Sequence, residues 1–550
     1  MAQTASLAPG VADAPTATGP RRHLPYRRLL FALAVVALLA QMAVAMVTTA
    51  VRQTPTVDEP VYVGTATVYL KERSLRYNPE HPPLGKLIIA AGVAVAGPHL
   101  ERGFPGDQSR LGRHLLYESG NDPWRLMLWA RLPVIALTLL FGLVVCAFAY
   151  DLTGRVGALV ALGLYAFSPD VITHGSLATL DVPAAGFVLT SVWLTWRARG
   201  RPGVYLPLAG VALGAALATK MNTLAALPVV LGLCVLATWR GPRARALARG
   251  AAWATGVALI AVAVVWASYL VVDPRLRWTP PAEMSSLHGL RALVTEWLPF
   301  PREYRDGMLI QFGKEEVVRA GFLYGRTYTG SLWYYQPAAL LVKTPLGMLA
   351  LGAAGAVAMC AIRRLRPAAP YVLLPTAVLL AGAMTGTRDY GTRYAIFVPL
   401  FLAVAAAALI VVRRRWVYVV TGSLVTFVAV SSLSAYPYYL PYANEAFGGP
   451  AKTHLWLRDS NVDWGQDLGR LADRLRERYP DERVWLFYKG SGEPSYYGIR
   501  ASDPLTVSPD QVHGLLVVSD SAAADAPLAA LIDSSEAIDE VGHSITIYRR

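Results

Sequence analysis

The sequence predicts a polytopic α-helical membrane protein of about eleven spans, followed by a small C-terminal α/β domain. Three observations carry that expectation. Of 550 residues, 54% are hydrophobic and only 16% charged, and mean hydropathy is +0.38, a balance that soluble domains rarely show. Apolar runs recur at lengths of about 20 residues, the helical length that crosses a hydrocarbon core of about 30 Å. After Leu440 those runs stop, and short segments of helical and strand period alternate.

Residues 1–25, rich in Ala, Pro and Thr, are expected to form a disordered cytoplasmic tail. Arg21, Arg22, Arg27 and Arg28 precede the apolar run Leu29–Val51. That run is longer than the apolar core of a signal peptide, about 7–15 residues, so it reads as a retained first span with its N-terminus inside. Leu87–Pro98 is apolar but too short for an ordinary span and is assigned to the outer membrane surface. Further spans are expected near Leu126–Tyr150, Val156–Phe167, Pro183–Trp196, Val204–Ala218, Leu224–Trp239 and Ala251–Val272. The last four are expected near Pro337–Ile362, Pro370–Met384, Tyr394–Val412 and Val417–Leu433.

This order sets Arg197–Arg201, Arg240–Arg249, Arg363–Arg366 and Arg413–Arg415 on the inner side. Counting Leu87–Pro98 as a span would set them all outside, against the positive-inside rule. The net charge of +14 is therefore assigned to membrane topology, and no nucleic-acid partner is expected. Cys146, Cys234 and Cys360 all sit in apolar runs, with neither disulfide framework nor zinc spacing.

The domain plan is a membrane part at 26–436, with outer loops 52–124 and 273–336, and an extracytoplasmic unit at 437–550. In that tail, WGQDLGRLADRLRERY sets Leu468, Leu471 and Leu475 on one helical face. RVWLFYKG and GLLVVSD read as short buried strands, followed by a helix near Ala526–Ile532 and a strand near Ser544–Tyr548.

The chemistry gathers in the first outer loop, TVDEPVYVGTATVYLKERSLRYNPEHPPLGK, Thr56–Lys86. It holds the adjacent carboxylates Asp58 and Glu59, the Glu80-His81 pair, a rigid Pro82-Pro83 and Lys86. Ionisable groups beside hydrocarbon are costly and mark a candidate site. The same outer face receives DVITHGSLATLD, the 273–336 loop and TRDYGTR. Lys220 and Lys343 lie beside or within apolar runs, where a lysine needs a partner anion or a route to the surface.

Taken in order, NPEHPPLGKL, ARLPV, SPDVITHGSLATLDVP, GAALATKMNTL and YTGSLWYYQPAALLVKTPLG resemble the membrane glycosyltransferases that use lipid-phosphate sugars. The resemblance is to the GT-C class, in the protein O-mannosyltransferase and aminoarabinose-transferase superfamily. PYANEAFGGP, DSNVDWGQDL and YKGSGEPSYYGI are similar to its bacterial phospholipid carrier-dependent branch. No MIR-type module is present, so a protein acceptor is not implied.

The resemblance implies an inverting transfer of mannose or a similar hexose from a polyprenyl-phosphate donor to an acceptor hydroxyl. Such a reaction needs a base for the acceptor proton and cations for the departing phosphate. Asp58 matches the family's catalytic acidic residue in the first outer loop and is the candidate base, with Glu59 as the second candidate; helix capping is the alternative reading of Asp58. Arg131, in ARLPV, matches an arginine that contacts donor phosphate. Glu80, His81, Lys86, Lys220, Arg326, Lys343 and Arg393 are further candidates for substrate contact. Asp181 recurs in the family pattern, with an N-cap as its alternative. Tyr334, beside Trp333 and Tyr335, is a candidate for packing on sugar or prenyl chain, or belongs to an interfacial aromatic belt. Asp58, Glu59, Glu80 and His81 lack the compact spacing that would demand a divalent ion, and no metal or other cofactor is expected. The acceptor stays open among protein, glycan and lipid. A transporter or flippase of lipid-linked sugars is the alternative from another class; the concentration of ionisable groups on one face favours the enzyme.

Overall fold

The computed structural model describes residues 24–280, 295–523 and 526–550. The expected disordered tail therefore falls almost wholly outside the described residues, as does part of the 273–336 loop.

The membrane part is built from helices. The first connecting region follows α1 (Leu24–Arg52) and contains α2 (Glu59–Glu72), α3 (Pro83–Ala96) and α4 (Gln108–Tyr117). Next come α5 (Pro123–Thr153), α6 (Arg155–Ala166), α7 (Pro169–Gly175), α8 (Asp181–Arg197), α9 (Pro202–Leu217), α10 (Ala226–Ala237) and α11 (Arg243–Val272). The second connecting region holds α12 (Arg302–Glu316) and the antiparallel hairpin β1 (Ala320–Leu323) and β2 (Arg326–Thr329). The series closes with α13 (Tyr335–Lys343), α14 (Leu346–Ala361), α15 (Ala369–Met384), α16 (Phe397–Ala406) and α17 (Arg415–Ser434).

Among the described residues, four helices are long and apolar enough to cross a membrane: α1 (from Tyr26), α5, α11 and α17. Two bent pairs, α6 with α7 at 62° and α13 with α14 at 119°, raise that number to six, and shorter apolar helices accompany them. The continuous run expected at Pro337–Ile362 is thus broken. Pro345 has no N–H to continue the helix, and Thr344 before it is extended, φ −90° and ψ 132°. Asn444 Nδ2 takes up the carbonyls left open there, donating to Leu341 O (2.7 Å) and Thr344 O (2.9 Å). The run expected at Tyr394–Val412 is likewise divided, into a 3-10 turn Thr392–Ala395, α16 and a second 3-10 segment Ala407–Val412.

The short α3 packs between α2 and α5 and buries Ile89 and Val93. Gly92 permits that approach, since a Cβ there would collide with the Trp129 carbonyl of α5. Gly355 does the same for α14 against Ala405 of α16, the small-residue contact by which membrane helices close on one another.

The tail folds as a five-stranded sheet, β3 (Val484–Phe487), β4 (Ala501–Ser502), β5 (Leu515–Ser519), β6 (Glu536–Val541) and β7 (Ile545–Arg549), in the order β4-β3-β5-β7-β6. The first three strands run parallel; β7 and β6 add antiparallel. Strand alternation feeds two cores. Leu515 and Val517 meet Leu468, Leu471 and Leu475 of α18 (Leu468–Arg478), while Leu516 and Val518 meet Leu528 and Leu531 of α19 (Ala526–Asp533). β6 and β4 are absent from the sequence expectation. One is an acidic edge strand with a register shift between Ala537 and Asp539, and the other is two residues long.

Candidate active site

A cavity of about 690 Å³ opens where the region between α1 and α5, α8, α12, α15 and the 387–394 turn meet. Its polar wall carries Asp58, Glu80, His81, Asp181, Lys220, Lys314, Glu315, Arg388 and Arg393. Its apolar wall is formed by residues such as Ala184, Val188, Leu224, Leu379 and Phe397.

Four ion pairs organise the polar wall. Pro60 starts α2, and Asp58 stands at its N-cap without a side-chain capping bond. The carboxylate instead accepts from Arg393 Nη1 at 2.5 Å through Oδ2. Asp181, in the first turn of α8, accepts from Lys220 Nζ at 2.5 Å, so neither a capping role nor snorkelling is needed for this buried pair. Glu80 Oε1 accepts from Lys314 Nζ (2.5 Å) and Gln108 Nε2 (2.9 Å). Glu315 accepts from Arg388 Nε at 2.6 Å and from the Thr387 N–H at 2.7 Å.

The four carboxylates differ in availability. Asp58 has 29% side-chain exposure, against 2% for Asp181 and 7% for Glu80. Its Oδ1 has no hydrogen-bond partner among the described residues, whereas both oxygens of the comparably exposed Glu315 are engaged. Arg393 is similarly under-used: Nη1 meets Asp58, Nη2 reaches Tyr394 Oη at 3.4 Å, and Nε has no partner.

Two groups in the first outer loop are electrostatically tuned. Burial, followed by the charges of Lys220, Lys86 and Lys314, pushes the His81 imidazole well below its ordinary range, leaving it neutral. Burial raises the Glu80 carboxyl, but the Lys314 charge and the bonds from Lys314 and Gln108 outweigh it and leave a lowered value.

The remaining sequence candidates lie away from this lining. Glu59 is fully buried and receives Arg131 Nε and Nη2, each at 2.7 Å, with Thr56 N, Thr56 Oγ1 and Ala178 N around it. Arg131 directs its other donors to Ala50 O, Gln53 O and Thr54 O. Every N–H of that guanidinium meets a protein acceptor, in an internal fork that binds α5 to the start of α2. Lys86 is consumed in the same manner, donating to Asn78 O (2.7 Å), Asn78 Oδ1 (3.1 Å) and His81 O (2.7 Å). It shapes the loop that presents Glu80 and His81. Lys343 donates to Leu440 O and Asn461 O, with Asp170 3.7 Å away. Arg326 is exposed on β2, and Tyr334 is 42% exposed beside Trp333.

Sequence reasoning missed Lys314, Glu315 and Arg388. The first two lie in the KEE run of the second outer loop, which reads as a solvated face. Arg388 lies in TRDYGTR, the same short turn as Arg393, and no local pattern marks it. Among the described residues no group of three or more His, Cys, Asp or Glu is placed to hold a metal ion.

Residues 34–274 match the family model of dolichyl-phosphate-mannose-protein mannosyltransferase, a glycosyltransferase family, in agreement with the resemblance carried by the motifs. No curated protein matches the chain. Among solved structures, ArnT from Cupriavidus metallidurans in the apo state is similar at 14% identity and TM-score 0.49, covering 95% of this chain and 97% of that one. The same protein bound to undecaprenyl phosphate is similar at 16% identity and TM-score 0.48, covering 95% and 98%. The S. cerevisiae Pmt1-Pmt2 complex bound to its sugar donor is similar at 19% identity and TM-score 0.34, covering 45% and 33%.

Proposed function

Taking residues 34–274 as those of a mannosyltransferase-type glycosyltransferase, we propose that this protein moves a hexose, mannose first among candidates, from a polyprenyl-phosphate donor to an acceptor hydroxyl. The reaction takes place at the outer face of the cytoplasmic membrane. The observation that carries this reading is Asp58, a partly exposed carboxylate with one unengaged oxygen, paired to an arginine in the lining of a half-apolar cavity.

The donor phosphate sits against Arg393 and Lys220, and the prenyl chain follows the apolar wall. Phosphate takes the Arg393 guanidinium from Asp58, which is then free to act as base. Asp58 removes the acceptor hydroxyl proton as that oxygen bonds to the anomeric carbon. The bond from that carbon to the phosphate oxygen breaks, and the released polyprenyl phosphate is held by the cations. A single displacement inverts the anomeric centre. Glu59 and Arg131 act as the internal lock of the site, and Glu80, His81 and Arg388 shape its rim.

The accompanying topology has about eleven spans counting broken and short ones, an inner N-terminus and an outer tail beginning near residue 437. Support comes from the turns bearing Arg199, Arg240 and Arg366, which meet around one surface pocket where Arg240 donates to Arg199 O. Clustered arginine turns on one end are what the positive-inside rule requires.

The test measures free polyprenyl phosphate released from lipid-phosphate sugars by membranes containing the wild type or Asp58→Asn, with host membrane extract as acceptor source. Release by the wild type, reduced about 10²–10⁴-fold in the variant at equal protein level, is the expected result. Equal release by both would remove Asp58 as base. Transbilayer movement of lipid-linked sugar without release would replace the transferase by a flippase.

A further inference from the structure

The DSNVDWGQDL stretch of the tail, Asp459–Leu468, lies between the two chain segments that present Asp58 and Arg393, residues far apart in sequence. On one side it runs beside residues 54–57. Thr54 N donates to Gln466 O and Val57 N to Trp464 O, each at 3.0 Å. Thr54 Oγ1 donates to Gly465 O at 3.0 Å and accepts from Leu468 N at 3.2 Å. Ser491 Oγ adds a bond to Thr56 O at 2.8 Å. The next residue but one is Asp58.

On the other side, Ser460 Oγ donates to Tyr390 O at 2.5 Å, and Asn461 Oδ1 accepts from Thr392 N at 3.1 Å. Arg393 follows directly. Gly391 between them, at φ +152°, has Ser460 Oγ where a Cβ would stand. Gly465 is equally constrained: its φ is +88°, and a Cβ would come within 2.8 Å of Gly490 Cα. In the middle, the Trp464 ring lies 4.4 Å from Arg393 Cζ. Trp464 is itself packed by Leu177 and Leu440 and edged by His174 at 6.0 Å.

We propose that the tail segment Asp459–Leu468 is part of the active site, with Trp464 as the positioning residue that holds the Arg393 guanidinium in register with Asp58. This rests on the transferase reading above. The aromatic face supplies a fixed negative surface on one side of the guanidinium and leaves its N–H edge for carboxylate or phosphate. Without the ring, a long flexible side chain samples other rotamers, and both the phosphate contact and the release of Asp58 lose their geometry.

The experiment compares wild type, Trp464→Phe and Trp464→Leu as purified full-length protein, reading kcat and donor KM for polyprenyl-phosphate release alongside the thermal midpoint. Loss of a half-buried to buried cation–π contact corresponds to about a three- to thirty-fold rate effect. Trp464→Leu also removes buried packing and is expected to lower the midpoint, so activities are compared well below either midpoint; there Trp464→Leu should lower kcat/KM in that range, and Trp464→Phe, which keeps a π face, should recover most of it. Equal kcat/KM in all three variants overturns the proposal. So does a loss in Trp464→Leu that Phe fails to restore, or one that follows the midpoint alone, for then the ring only packs. Absence of release by the wild type would instead overturn the transferase reading.

Discussion

Replacing Arg131 by Met separates an internal lock from a substrate contact. The methionine keeps much of the volume and removes all five donors. Glu59 would retain three bonds, from Thr56 N (2.9 Å), Thr56 Oγ1 (3.0 Å) and Ala178 N (2.8 Å), but lose its counter-charge at a fully buried position. Burial raises the Glu59 carboxyl, and the Arg131 charge with its hydrogen bonds reverses that to a net lowering. With Arg131 gone, only burial and the weaker neutral bonds remain, so the carboxylate is either buried unpaired or protonated. Breaking a buried pair from one side costs about 3–5 kcal/mol, and the carbonyls of Ala50, Gln53 and Thr54 lose their donors as well. Thermal unfolding of the full chain in detergent, followed by tryptophan fluorescence, should show Arg131→Met and Glu59→Ala destabilised by comparable amounts. Glu59→Met combined with Arg131→Met should recover part of the loss, because no lone charge is left. An Arg131→Met protein with wild-type stability and a raised donor KM would refute the lock and return Arg131 to the phosphate.

Three further outcomes follow from the same geometry. Lys220→Met leaves Asp181 alone in a buried position and should cost about 3–5 kcal/mol. Adding Asp181→Asn should restore stability, measured by the same unfolding, while polyprenyl-phosphate release stays low if Lys220 contacts the donor phosphate as proposed. Lys86→Met leaves the buried Asn78 and His81 acceptors without their donor and should destabilise by about 1–3 kcal/mol per unmet group, read as a lower thermal midpoint. For Glu80, whose carboxyl is held below its ordinary 4.5, the stabilisation is fully present above 4.5 and is lost as pH falls through the lowered folded value. Lys314→Met leaves burial as the dominant influence on that carboxyl. Its midpoint deficit against wild type should therefore be largest at neutral pH and should close as pH drops below 4.5; a gap that widens on acidification contradicts the assignment.

How much of this was readable from the chain depends on the range of the interaction. The apolar runs around α5 and α11 and the acid-rich Thr56–Lys86 loop are local properties, visible as composition and period. The tail helix could be read from Leu468, Leu471 and Leu475 because one amphipathic face is a short-range pattern. The partner of Arg131 was not readable. Its five donors meet groups at positions 50–59, some 72 to 81 residues away, and a motif position carries no record of which way a guanidinium points. Lys86 misled for the opposite reason: a lysine following Glu-His-Pro-Pro looks like a ligand-facing charge, yet its ammonium turns back onto the carbonyls of its own loop. The break at Thr344–Pro345 had a local signal in the proline, overridden by the long apolar run on both sides. Lys314 and Glu315 had none, since only the docking of α12 over the cavity distinguishes them from a wet helix face.

The pairing of every lysine and arginine in the cavity lining with a carboxylate, four against four among the described residues, bears on which anions the site ignores. A mouth with no net charge projects little field into solvent, so it neither concentrates small anions nor steers them inward. For the lipid-linked donor proposed above, encounter would then depend on lateral diffusion of the prenyl chain along the membrane, and ionic strength should change the rate little. Inorganic phosphate or sulfate, with no chain to seat on the apolar wall, has to compete with a tethered carboxylate at high effective concentration. On the proposed function, selectivity for a lipid-borne phosphate over dissolved phosphate would follow from these ion pairs themselves.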